Sequence, residues 1–182
     1  MTSFLKRGYH KVRVGVSFAL QKAKEVSQPV VLQSHGVCPI CSHRVRFIAR
    51  NSWLRDHFIC PQCRSIPRER ALMVVIERCF PYWRELIIHE SSPVGRGASV
   101  RLANEAAQYI PSQYFQSNTP GELVRGFRNE NLESLSFADE SIGLHVSQDV
   151  FEHVFKPDLA FKEIARTLQP GGAHVFTVPL VC

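Results

Sequence analysis

The sequence lacks a long apolar run, and acidic residues are scarce in its first 70 positions. The longest stretch without charged side chains, 26–43, contains Pro29, Gly36 and Pro39 and is unsuited to a membrane-spanning helix. No apolar core with a small-residue cleavage site follows the first basic residues, which argues against a cleaved signal peptide. With 45% hydrophobic residues and six cysteines in 182 residues, a disordered chain, a collagen and a disulfide-rich miniprotein are excluded. We expect a cytoplasmic globular protein.

Charge is divided unevenly along the chain. Residues 1–70 hold 13 of the 22 Lys and Arg residues but three of the 16 acidic residues, a net charge of +10, whereas the remainder carries −4. This asymmetry predicts two physically different halves, the first suited to an anionic partner such as nucleic acid.

A basic amphipathic helix is predicted within the first segment, 1–36, because apolar residues recur every three or four positions over 4–26. Such a helix can bind an anionic surface or dock on the protein itself. We favour docking, since Gly8 and Gly15 weaken an isolated helix. A linker rich in Pro, Gln, Ser and Gly is predicted over 27–36.

Two C-x-x-C pairs, Cys38-Pro-Ile-Cys41 and Cys60-Pro-Gln-Cys63, follow with 18 residues between them. Each pair can form a tight knuckle that presents two sulfurs to one ion, and the spacer is long enough for a hairpin. Four thiolates make a closed tetrahedral site, so we predict a structural zinc ion in a zinc ribbon over 37–66. Two disulfides or a redox pair are the alternatives, and each requires a setting for which the sequence gives no sign.

Arginines surround these pairs, and they suit either phosphate contacts or salt bridges to the acidic half. They are Arg44, Arg46, Arg50, Arg55, Arg64, Arg68 and Arg70. A bridging helix is predicted over 67–84, opened by Pro67 and closed by Pro81. Its predicted buried face is Leu72, Val75, Ile76 and Cys79, so burial explains Cys79 better than reactivity does.

From residue 85 onward, short apolar segments alternate with helical ones. Strands are predicted at 86–88, 114–115, 143–147 and 173–178, and helices at 98–107 and 157–168. This alternation predicts an α/β fold with a doubly wound, mostly parallel sheet. Ligands bind beyond the carboxyl ends of such strands, so the loops at 90–97, 117–118 and 148–153 are candidate binding segments.

Three motifs occur in order in this half: Asn131-Leu-Glu-Ser-Leu135, Val146-Ser-Gln-Asp-Val-Phe-Glu-His153 and Leu168-Gln-Pro-Gly-Gly172. With these motifs, residues 85–182 resemble class I S-adenosylmethionine-dependent methyltransferases, in particular their methyltransferase type 11 branch. The resemblance implies a Rossmann-like sheet, S-adenosylmethionine as cofactor and methyl transfer to an unidentified acceptor. The family continues with two strands after the fifth, so the resemblance implies a domain lacking its last strands. We expect a partner or a second copy to cover an edge left exposed there.

The resemblance also implies where the cofactor binds. Glu90 matches the acidic residue that opens the family's cofactor loop, and Gln148 ends the strand near the cofactor's methionine part. Asn131 and Leu132 match the segment beside the adenine. The expected cofactor-binding residues are Glu90, Ser92, Gly95, Asn118, Asn131, Leu132 and Gln148. Catalytic residues are unassigned, and Asp149 and His153 are the candidates if the acceptor must lose a proton.

The cofactor loop departs from the family pattern. The family has glycine where this chain has Ser92, Val94 and Arg96, and glycine serves there because it allows unusual backbone angles. Gly95 and Gly97 would have to rebuild the turn. Two alternatives to an active enzyme therefore stay open. One is a catalytically inactive, methyltransferase-like scaffold or regulator, and the other is a zinc-ribbon protein that binds nucleic acid.

Overall fold

The computed structural model describes residues 29–179. The helix predicted over 4–26 lies outside the described residues. A two-stranded ribbon is followed by a six-stranded sheet with helices on both faces. Within residues 29–179, no helix is long and apolar enough to cross a membrane.

The ribbon is an antiparallel pair of strands, β1 (Leu32–Val37) and β2 (Arg44–Ala49), followed by a short helix, α1 (Leu54–His57). The inward face of β2 carries Phe47 and Ala49, which are buried. The prediction of a linker over 27–36 is therefore wrong for residues 32–36, because they pair with β2 and form a strand.

A longer helix, α2 (Pro67–Cys79), connects the ribbon to the sheet and begins at a proline, as predicted. Its buried apolar residues are Leu72, Met73 and Ile76, whereas Val75 and Cys79 are exposed. The predicted face was wrong at these two positions. The helix turns the side that carries Glu69 and Met73 towards the protein, and Cys79 lies in its last turn. Burial therefore does not explain Cys79.

The remaining elements alternate strands and helices around the sheet. They are β3 (Ile87–Ser91), α3 (Gly97–Glu105), β4 (Gln108–Gln113), β5 (Leu123–Val124), β6 (Phe127–Asn129), β7 (Ile142–Gln148), α4 (Pro157–Thr167) and β8 (Leu168–Thr177). The strand order is β5-β6-β4-β3-β7-β8, and every neighbouring pair except β5 and β6 is parallel. The predicted mostly parallel α/β sheet is confirmed. Its order reverses between β3 and β7, where such sheets bind ligands.

Two strands differ from their predicted positions. The second strand is β4 at 108–113 rather than 114–115, and it accommodates Pro111 because β6 pairs only with Ser112 and Gln113. Strand β8 begins directly after α4 rather than at residue 173. Gly172 is required there, since a Cβ atom would lie 2.9 Å from the carbonyl oxygen of Gly143.

Two apolar clusters cover the sheet. The first packs under α2 and α3 and extends without interruption into the ribbon; its members include Ile40, Phe47, Met73, Trp83, Leu102 and Leu144. The second packs under α4; its members include Leu132, Phe137, Phe151 and Ile164. Shared burial in the first cluster fixes the ribbon against the sheet.

Candidate metal centre and cofactor site

The two C-x-x-C pairs fold into matching knuckles. The amide of Ser42 donates to the carbonyl of Cys38 (2.8 Å), and the amide of Arg64 donates to the carbonyl of Cys60 (2.9 Å). Ser42 and Arg64 both adopt left-handed backbone angles, with φ of 59° and 63°. Each turn thereby brings its two sulfurs to the same side.

The four predicted cysteines, Cys38, Cys41, Cys60 and Cys63, form one cluster with all sulfurs within 4.8 Å of one another. The sulfurs of Cys38 and Cys63 are 3.7 Å apart, and those of Cys41 and Cys60 are 3.9 Å apart. Sulfurs at the corners of a tetrahedron around zinc, each about 2.3 Å from the ion, lie about 3.8 Å apart. The distances exceed an S–S bond and are compatible with a four-cysteine zinc site.

The thiols are electrostatically unequal. Burial raises the pKa of Cys41 to about 12. At Cys38, hydrogen bonds with the Ser65 hydroxyl and nearby backbone amides outweigh burial and lower the pKa to about 7. Ser65, which sequence reasoning missed, contacts the sulfurs of both Cys38 (3.5 Å) and Cys63 (3.2 Å). A cation bound among the four sulfurs would favour their thiolate forms.

Glu90 lies at the carboxyl end of β3, where it is fully buried. Its carboxylate accepts hydrogen bonds from Ser99 (2.6 Å), Tyr109 (2.7 Å) and the side-chain amide of Gln148 (3.2 Å). Burial raises the pKa of Glu90 above its ordinary value despite these bonds. Two residues expected to bind cofactor, Glu90 and Gln148, are therefore in direct contact.

An unsatisfied polar atom lies beside this pair. The side-chain oxygen of Gln148 is buried and has no hydrogen-bond partner among the described residues. Buried polar atoms are normally paired, so a ligand donor fits this position. The residues present are therefore compatible with a small polar ligand at the carboxyl ends of β3 and β7.

The loop after Glu90 contains left-handed backbone angles, although it lacks the glycines of the family pattern. Ser92 has φ of 52° and Gly97 has φ of 56°, whereas Gly95 is in open space without a left-handed angle. The hydroxyl of Ser99 accepts from the amide of Val94 (3.2 Å). The expectation that Gly97 rebuilds the turn agrees with this geometry, while Gly95 has no such role.

The residues expected near ribose and adenine lie in two loops, which follow the carboxyl ends of β4 and β6. Asn118 donates to the Glu122 carboxylate (3.3 Å), and Asn131 accepts from the amide of Glu133 (3.0 Å). Leu132 is buried in the apolar cluster under α4. The buried Asn129, which sequence reasoning missed, holds the first loop in place; it donates to the Asn118 carbonyl (2.7 Å) and accepts from the Phe115 amide (2.8 Å).

The two candidate bases have different surroundings. The Asp149 carboxylate forms ion pairs with Arg55 from α1 and Arg68 from α2, and it accepts from Thr177 (3.0 Å). His153 is exposed on a short turn that follows β7. Asp149 therefore joins the ribbon, α2 and the sheet. Its ion pairs with Arg55 and Arg68 are salt bridges to the acidic half, one of the alternatives that the sequence left open for these arginines.

A family model described as a methyltransferase domain matches residues 97–176, from the start of α3 to the penultimate residue of β8. This match confirms the predicted resemblance. No curated protein matches the sequence.

Solved structures with a similar fold include an S-adenosylmethionine-dependent methyltransferase from Mesorhizobium loti, with 18% identity, a TM-score of 0.46, and coverage of 59% of this chain and 53% of that chain. The YcgJ protein from Bacillus subtilis has 15% identity, a TM-score of 0.48, and coverage of 58% and 49%. The SpnF cyclase has 20% identity, a TM-score of 0.47, and coverage of 58% and 43%. The chain spans about half the length of the structures it matches.

Proposed function

We propose that the chain binds S-adenosylmethionine at the carboxyl ends of β3, β4 and β7 and transfers its methyl group to an acceptor, and that the four cysteines hold a structural zinc ion. The family match over residues 97–176 supports the first part. The closed arrangement of four sulfurs supports the second, since it leaves no ligand position for a substrate.

The contact between Glu90 and Gln148 carries the cofactor proposal. Hydrogen bonds from Ser99 and Tyr109 fix the Glu90 carboxylate, which in turn orients the Gln148 amide. The free oxygen of Gln148 would accept from the ligand's ammonium or hydroxyl groups. When bound, the cofactor supplies an electrophilic methyl group on a sulfonium sulfur.

The chain's own contribution would be binding and orientation, which can supply much of the rate of such a transfer. Asn118, Asn131 and Leu132 line the loops that would hold the nucleoside part. Two guanidinium groups hold the Asp149 carboxylate, so we propose an anchoring role for it and leave His153 as the candidate base.

Calorimetric titration with S-adenosylmethionine and S-adenosylhomocysteine tests cofactor binding. Replacing Glu90 by Gln should weaken binding by about tenfold or more, because it removes the carboxylate that orients the Gln148 amide, and a hydrogen bond to a charged group contributes about 1.5–3 kcal/mol. The exposed Glu140, which precedes β7 at the opposite end of the sheet, provides the matched control Glu140→Gln. No binding by the wild-type protein at millimolar ligand would contradict the enzyme proposal and favour the scaffold alternative.

Nucleic-acid binding is a second candidate, favoured by the outer face of the ribbon. Arg44, Arg46 and Arg64 are exposed, and among the described residues none of them has an acidic side chain within ion-pair distance. Exposed arginines free of acidic partners suit phosphate contacts. Binding of single-stranded RNA and duplex DNA should weaken with salt and should fall in an Arg44→Gln, Arg46→Gln variant. Unchanged binding in that variant would exclude this surface.

A further inference from the structure

Two adjacent residues of opposite charge, Glu69 and Arg70, are buried in the first turns of α2, with exposed fractions of 1% and 9%. Consecutive helical residues point about 100° apart, so the two side chains meet different partners. Burying charged groups is costly unless they are paired. Their partners lie at the metal centre and at the cofactor loop.

Arg70 lies against the metal centre. Its guanidinium stacks over the ring of Phe47, 4.5 Å from the centroid, and donates to the carbonyls of Ser65 (2.5 Å) and Phe58 (2.8 Å). Ser65 in turn contacts two of the four sulfurs. A zinc ion with four thiolates has a net charge of −2, which the buried guanidinium partly offsets.

Glu69 lies against the cofactor loop. Its carboxylate accepts from the amide of Ile66 (3.0 Å) and from the side chain of Arg96 (2.9 Å). A Cβ atom on Gly97 would lie 2.2 Å from the Glu69 carboxylate, so this group packs directly on the Gly97 backbone. The loop is held from its other side by Ser99, and its shape therefore depends on where α2 lies.

We propose that Glu69 and Arg70 couple the metal centre to the cofactor loop, so that zinc binding orders residues 92–97 and raises affinity for the cofactor. Glu69 is a positioning residue for the loop, and Arg70 is one for the metal centre. The inference rests on the proposed function, because it concerns the same two sites. By linkage, the cofactor must raise zinc affinity by the same factor as zinc raises cofactor affinity.

Amide hydrogen exchange tests the coupling without any cofactor. In the zinc-loaded wild-type protein, we expect slow exchange at Val94 and Arg96, and faster exchange at both after zinc is stripped. Strands β3 and β7 serve as internal references that should stay protected. Glu69→Ala should show the faster loop exchange even with zinc bound.

Glu77→Gln is the matched control, since Glu77 also lies on α2 and forms an ion pair with α3, through Arg101 (2.5 Å), without contacting the loop. It should behave like the wild type. Loop exchange that is unchanged in zinc-loaded Glu69→Ala, or equally increased in Glu77→Gln, would overturn the proposal. If stripping zinc also exposes β3 and β7, the comparison of these two zinc-loaded variants decides the question.

Binding measurements then quantify the coupling. Zinc affinity, measured by competition with a chelator, should rise by roughly five- to tenfold with saturating S-adenosylhomocysteine, within the usual range of coupling between sites. Glu69→Ala should reduce this factor to about one. Equal zinc affinities with and without bound ligand in the wild type would overturn the coupling. Absence of ligand binding contradicts only the proposed function, because the exchange experiment still reports on the loop.

Discussion

The Nδ1 atoms of His89 and His145 lie 2.7 Å apart on one face of the sheet, and both side chains are buried. The Thr167 hydroxyl donates to the Glu163 carbonyl (2.9 Å), so it accepts from Nε2–H of His145 (2.9 Å). Nδ1 of His145 then accepts from Nδ1–H of His89, whose Nε2 accepts from the Ser112 hydroxyl (2.7 Å). Hydrogen-bond donation therefore runs in one direction, from Ser112 through the neutral rings of His89 and His145 to Thr167.

Mild acidification should destabilise the protein. Burial lowers the pKa of His89 well below its usual range and that of His145 to about 3. Both titrate near pH 6.5 when unfolded, so as the pH falls below about 6.5 the unfolded state binds protons that the folded state does not. Each histidine should remove about 1.4 kcal/mol of unfolding free energy per pH unit. Urea unfolding between pH 7.5 and 5 measures this loss.

Glu90 acts in the opposite sense, because burial raises its pKa and the folded state binds its proton first as the pH falls. Glu90→Gln should therefore steepen the acid-induced loss of stability. A flat stability curve between pH 7 and 5 in Glu90→Gln would contradict the neutral histidine pair.

Metal analysis should find one zinc per chain. Cys60→Ser should lower zinc affinity by more than about 100-fold, since loss of a ligand exceeds the 10–100-fold effect of outer contacts. Cys79→Ser is the control, because Cys79 is exposed and lies outside the cluster. Equal zinc content in the two variants would show that the cluster does not hold the ion.

Gly97→Ala should destabilise the protein by about 2 kcal/mol or more. The new Cβ would combine a left-handed backbone angle with a contact 2.2 Å from the Glu69 carboxylate. Gly95→Ala should have little effect, because nothing lies within 4 Å of the added carbon. Thermal and urea unfolding compare the two; similar losses would indicate that the loop is not held as described.

Ile76→Ala should cost about 2–5 kcal/mol, since Ile76 is fully buried in the cluster that joins the ribbon to the sheet. Val75→Ala, one residue earlier and 44% exposed, should change stability by less than about 0.5 kcal/mol. Urea unfolding should separate the two variants, and equal costs would refute the observed orientation of α2.

The clustering of the four cysteines and the class of the sheet could be predicted because their signals are local. Paired cysteines at short spacing imply a knuckle wherever they occur, and alternating apolar segments imply a layered sheet. The histidine pair could not, because residues 56 positions apart meet only through the register that places His89 opposite His145. The orientation of α2 likewise depends on what it packs against, so its apolar spacing misplaced Val75 and Cys79.

The loop at 92–97 shows the same limit. The sequence revealed that glycines are missing at positions 92, 94 and 96, yet nothing near them in sequence indicates what replaces them. The answer is a carboxylate about 25 residues earlier, Glu69, which binds Arg96 and packs on Gly97. Long-range ion pairs of this kind leave no periodic or spacing signal.

The left-handed angles of Ser42 and Arg64 have a consequence for metal exchange. A residue other than glycine loses about 1 kcal/mol or more in this conformation, and each knuckle contains one. The unfolded, metal-free turn is not held to that angle, so the loss is subtracted from the affinity for zinc. Glycine at both positions would remove this loss and raise the affinity for zinc. A zinc ion bound by these knuckles should therefore be easier for a chelator to withdraw than one bound by knuckles with glycine at both positions.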